Sequence, residues 1–118
     1  MDNQKIELLA EYERLAAIAK ASFAKLEEVT ELFILKFEAY EKARLVYEDL
    51  ANKAFIAAGG TDLAAEQQAV QAAERAYADY QATIAPKDEA QSARDAARKD
   101  YDLAAIKATA AFRATGCQ

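Results

Sequence analysis

Phe55-Ile56-Ala57-Ala58-Gly59-Gly60-Thr61-Asp62 holds two of the three glycines of this 118-residue chain, and its position decides the fold. Upstream, Met1 to Ala58 contains neither glycine nor proline, so a single helix can propagate there without an interior breaking penalty. At 1.5 Å per residue such a helix runs on the order of 80 Å and needs partners along its length. Downstream, the return arm meets one proline, Pro86, before Gly116. The Gly-Gly pair offers a left-handed C-terminal cap for the first helix, and Thr61 or Asp62 can accept the free amide hydrogens of the next. A loop this short makes the two arms antiparallel neighbours.

The first arm keeps a strict seven-residue column: Tyr12, Ala19, Leu26, Phe33, Tyr40, Tyr47 and Ala54. A repeat held in phase this long predicts one continuous helix with a coiled-coil seam rather than a break at Ser22 or Thr30. Leu8, Leu15, Val29, Ala43 and Leu50 widen the stripe on one side; Leu9, Ala16, Phe23, Phe37 and Ala51 widen it on the other. Ile18, Leu32, Ala39 and Val46 lie one step further round. Four of seven columns are thus mainly apolar, an arc of about 200° where a two-stranded seam needs two columns. One partner helix cannot cover it.

In the return arm Leu63, Val70, Tyr77 and Ile84 form an apolar column supported by Ala73 and Tyr80, but its continuation would be Gln91 and Arg98. A second column appears at Ala90, Ala97, Ala104 and Ala111, so the apolar phase is expected to slip at Pro86. Asp88 with Gln91 resembles a capping pair that would start a new helix there. Two arrangements are compatible with this pattern. One is a hairpin whose second arm is kinked; the other is a three-helix bundle that reverses at Pro86 and leaves the N-terminal half of the first helix projecting. The expected fold class is therefore all-α, a long antiparallel helical hairpin or helical bundle with coiled-coil packing, second arm kinked or broken at Pro86. The expected layout is one helical domain over 1–118, with helix 1 at about 3–58, the turn at 59–61, helix 2 at about 62–85 and helix 3 at about 88–115.

Composition narrows the chemistry. Apolar residues make up 53% and charged residues 30%, with a net charge of -5, a balance suited to long helices that disfavours nonspecific attraction to nucleic acid or an anionic membrane. The start lacks the basic-then-apolar order of a signal peptide, no apolar run approaches membrane-spanning length, and the run from Leu32 to Leu35 is closed by Lys36, so a cytoplasmic location is expected. Cys117 is the sole cysteine, which leaves no intrachain disulfide. There is no histidine, which removes His-based triads and, with one cysteine, a structural zinc site within one chain. Ser22 and Ser92 lie in no Gly-x-Ser-x-Gly turn, and Gly59-Gly60 lacks the later Gly-Lys of a phosphate loop.

Glu27, Glu28 and Glu31 fall on the polar side of the first helix, and Asp100 and Asp102 on different faces, so neither group is expected to hold a metal. Arg94, Arg98 and Lys99 beside Tyr101, extended by Lys87, form the best basic patch, but Asp95, Asp100 and Asp102 interleave with it. Tyr12, Tyr40, Tyr47 and Tyr77 sit in apolar columns, as core rings with hydroxyls at the edge would. The Trp-x-Gly turn of the type VII secretion hairpins, which share this size and plan, is replaced by Ala58-Gly59-Gly60, and the sequence assigns no family.

No enzyme, cofactor or metal function is expected. The pattern points to a non-catalytic protein-protein interaction module: an adaptor, inhibitor or assembly factor, of the kind a phage or mobile element encodes to occupy a host enzyme. Its expected interaction residues are Ile18, Leu32, Leu35 and Val46, surplus to one antiparallel partner helix. A homodimer is the simplest expected assembly, and the hairpin tip around Phe55 and Ile56 is the next surface in line. An amphipathic coat for lipid or hydrophobic granules and an acidic decoy of a nucleic-acid-binding protein are the alternatives.

Overall fold

The computed structural model describes residues 2–116; Cys117 lies outside the described residues. The described residues form two helices, α1 (Asp2–Ala58) and α2 (Leu63–Ala114), and no strand. The fold is an all-α helical hairpin. Exposed i,i+3 and i,i+4 ion pairs, such as Arg14 with Glu11 at 2.6 Å and Lys53 with Asp49 at 3.0 Å, support α1 weakly, since solvent screens them.

The turn between the helices closes differently from the expected left-handed cap. Gly59 and Gly60 both keep negative φ, and their amides donate to the carbonyls of Ile56 (3.1 Å) and Ala57 (3.0 Å). These i→i−3 bonds tighten the last turn of α1 and satisfy carbonyls that would otherwise be orphaned. The left-handed glycine is at the other end of the chain, Gly116 with φ 82°, just past α2. Asp62 caps α2: its Oδ1 accepts from the amide of Ala65 at 3.1 Å, and its carbonyl accepts from Glu66 at 3.1 Å.

α2 passes through Pro86 without ending. The expected division into helices over 62–85 and 88–115 is replaced by one helix, and the reversal needed for a three-helix bundle does not occur. The reason lies in the seam. Ala69, Ala76, Thr83, Ala90, Ala97, Ala104 and Ala111 make one heptad column that is buried or half-buried at every position. Ala73, Tyr80, Lys87, Arg94, Tyr101, Ala108 and Thr115 form a second, again covered at every position. Both columns hold their phase across Pro86, so the expected slip is absent. The proline costs one backbone hydrogen bond, to the carbonyl of Ala82, and packing on both sides of it retains the helix. By contrast Leu63, Val70 and Tyr77, expected in the seam, are exposed, and only Ile84 of that column is half-buried.

In α1 the predicted column from Tyr12 to Ala54 is half-buried at all seven positions, and Leu8, Leu15, Val29, Ala43 and Leu50 beside it are likewise covered. The chain divides into two compact units, Met1–Glu31 with Gln91–Gln118 (unit 1) and Leu32–Ala90 (unit 2). Within unit 1 the N-terminal half of α1 is paired with the end of α2, with Tyr12 against Phe112 and Phe23 against Tyr101, each at 5.3 Å between ring centroids. That half does not project unpartnered. Within unit 2 the buried apolar residues are Ala76 and Ala90; in unit 1 they are Val29, Ala97, Ala104 and Ala108. No large side chain among the described residues is fully buried. Alanine seams let helices approach closely but remove little apolar area from water.

Candidate interaction surface

The seam of unit 2 is built on three covered tyrosines, Tyr40, Tyr47 and Tyr80, with the exposed Tyr77 at its edge. Tyr47 stacks on Tyr80 at 5.9 Å with an interplanar angle of 7°, and tilts against Tyr77 at 5.1 Å. Tyr40 packs on Tyr80 at 5.4 Å, and their hydroxyls share a hydrogen bond of 3.2 Å. That bond, and then partial burial, raises the pKa of the Tyr80 phenol above its ordinary value. Lys87 Nζ sits 4.3 Å from the centroid of the Tyr40 ring and 3.1 Å from Asp88 Oδ1. The ammonium is thus held by a π face on one side and a carboxylate on the other. The cluster fastens α1 to α2 through these ring contacts and the Tyr40–Tyr80 hydrogen bond.

On one flank of this seam both helices contribute exposed apolar side chains. From α1 come Ile34, Phe37 and Phe55; from α2 come Leu63, Val70 and Tyr77. Along part of this flank runs an open groove of about 360 Å³ lined by Tyr47, Ala51, Ala54, Val70, Ala73 and Tyr77, with one carboxylate, Glu74, at its edge. Arg44 rises beside it, its guanidinium bonded to Glu41 (2.8 Å) and Glu48 (2.8 Å). These partners raise the pKa of Arg44, and the hydrogen bond from Arg44 lowers that of Glu41. One positive charge with two negative ones leaves this triad with a net charge of about -1.

The other flank carries the residues expected from sequence. Leu32 (47% exposed), Leu35 (63%) and Val46 (48%) all stand in solvent, on α1 alone. Ile18, also on α1, belongs to unit 1 and is 44% exposed. It lines a separate groove of about 580 Å³ with Leu103, where Glu11, Arg14, Asp100 and Lys107 supply both signs of charge. The hydrogen bond from Arg14 lowers the pKa of Glu11. The tip residues Phe55 and Ile56 are the further exposed pair, Phe55 at 80%.

Leu63, Val70 and Tyr77 belong to the most apolar column of the first half of their arm, so apolar periodicity alone places them in the seam. Continuity was the better signal. Their column runs on into Gln91 and Arg98, whereas the column from Ala69 to Ala111 contains no charge at any of its heptad positions. Of the residues weighed for chemistry, Glu27, Glu28 and Glu31 are exposed, and Arg94 pairs with Asp95 at 3.4 Å. Among the described residues no three His, Cys, Asp or Glu side chains are grouped to hold a metal ion. No described helix is long and apolar enough to cross a membrane. Comparison with known protein families, curated proteins and solved structures finds no match.

Proposed function

We propose that this chain is a non-catalytic helical interaction module, an adaptor, inhibitor or assembly factor that self-associates and offers the free ridge of α1 to another protein. The observation that carries this reading is the run of exposed Leu32, Leu35 and Val46 on one helix face, in a unit whose buried apolar residues are two alanines. A single-helix ridge of aliphatic side chains suits insertion into a groove on a partner, where the anchors are read at helical spacing. A cytoplasmic location belongs to the same proposal.

The test is quantitative affinity capture from the source cell with the wild type and with Leu32→Glu/Val46→Glu, followed by reconstitution with the purified partner. Truncating an interface anchor costs about 2 kcal/mol or more, so the double variant should weaken partner binding by at least ~100-fold while keeping its helical circular dichroism. Equal binding by wild type and variant would remove this ridge as the working surface.

A further inference from the structure

We propose that the two-helix flank of unit 2 bearing Ile34, Phe37, Phe55, Leu63, Val70 and Tyr77 is the surface on which a second copy of this chain docks. This deepens the self-association part of the proposed function by naming its surface, and leaves the Leu32–Val46 ridge free for a different protein.

The shape of the patch selects the occupant. A ridge on one helix is complementary to a groove, but this flank presents apolar side chains from both helices about a shallow groove. Doubling it about a two-fold axis sets two helices against two and produces a four-helix core, the arrangement in which such faces become fully covered. Alanine positions in the groove, Ala51, Ala54 and Ala73, provide the space into which the larger Val70 and Tyr77 of the other copy can interdigitate.

The area is sufficient. The six side chains are 38–80% exposed. At ~150–250 Å² for a large side chain, they present roughly 500–700 Å² per copy, or about 1,000–1,400 Å² across the pair, which reaches the ~1,000 Å² that separates specific interfaces from incidental contacts. The need is equally clear. Unit 2 buries only Ala76 and Ala90 among its apolar residues, and small folds with so thin a core are commonly completed by oligomerisation. The acids beside the patch, Glu74 on the groove and Glu41 and Glu48 on Arg44, are exposed or half-buried at its edge, where solvent and salt screen their repulsion between copies.

The experiment uses the full chain. Light scattering of the wild type at micromolar concentration should give twice the 12.9 kDa chain mass, and the melting temperature should rise with protein concentration, because unfolding is then coupled to dissociation. Leu63→Glu/Val70→Glu should shift the mass to that of a monomer. The milder Val70→Ala, which adds no buried charge, should raise the dimer dissociation constant ~10-fold. Leu32→Glu/Val46→Glu should leave the mass doubled. A monomeric wild type with a concentration-independent melt overturns self-association altogether. A doubled mass that survives both the Leu63/Val70 pair and Val70→Ala overturns this surface while leaving self-association standing. Partner capture by the α1 ridge is read separately, so its failure is distinguishable from either outcome.

Discussion

Replacing Pro86 by alanine should stabilise the protein, and the size of the gain follows from its place inside α2. In a helix interior proline is about 3 kcal/mol less favourable than alanine, through the missing donor and the clash with the preceding turn. Pro86→Ala restores an amide that can reach the carbonyl of Ala82. Two effects oppose the gain. The unfolded chain becomes more flexible, which costs about 0.4–1 kcal/mol. The half-buried ring also loses two methylenes, worth about 0.8 kcal/mol together at half of the full burial value. The net expectation is a gain of about 1–2 kcal/mol, or an increase in Tm of about 4–8 °C at this chain length. The assay is far-UV circular dichroism through urea and thermal unfolding, with wild type and variant at the same chain concentration. Oligomer mass should be unchanged, since Pro86 is outside both apolar flanks. A loss of more than about 1 kcal/mol would refute the reasoning, because it would mean that the proline terminates or redirects the helix and that the unbroken alanine columns are not what holds α2 together.

Two further outcomes test the seam. Ala76→Leu puts three extra carbon atoms at a position only 6% exposed, and overpacking of this kind should cost about 1–3 kcal/mol in urea denaturation; a neutral effect would show that the helices are not closely apposed there. The raised pKa of Tyr80, caused first by its hydrogen bond to Tyr40, sets a direction for alkaline pH. Below the ordinary tyrosine value of about 10 both folded and unfolded chains keep the proton. Above it the unfolded chain loses its proton first, so this contribution to stability declines until the folded-state value is passed. Tyr80→Phe should flatten the loss of stability measured by urea unfolding in that range, and an identical slope in wild type and variant would contradict the assignment.

Much of the fold is legible in the residues themselves. A breaker-free stretch as far as Ala58, a Gly-Gly pair and Asp62 in capping position specify two helices and a tight turn through local backbone preferences. The heptad column from Tyr12 to Ala54 marks the covered face of α1 because large and small apolar side chains recur there against a charged opposite side. The return arm could not be read the same way. Its covered face joins one column of alanine and threonine to a second that includes Tyr80, Lys87, Arg94 and Tyr101, neither of them strongly apolar, while its most apolar column, Leu63 to Tyr77, faces solvent. Apolarity therefore pointed to the wrong stripe and turned an unbroken phase into a slip at Pro86. The candidate surface divides in the same manner. Leu32, Leu35 and Val46 could be named from sequence as surplus to one partner helix, since α1 carries more apolar columns than a single neighbour can cover. That Val70 and Tyr77 stand exposed and line a groove with Ala51 and Ala54 of α1 was decided only by tertiary packing. The small alanines of the column from Ala69 to Ala111 favour close approach on that side of α2, and with that side covered, Leu63, Val70 and Tyr77 are turned outward.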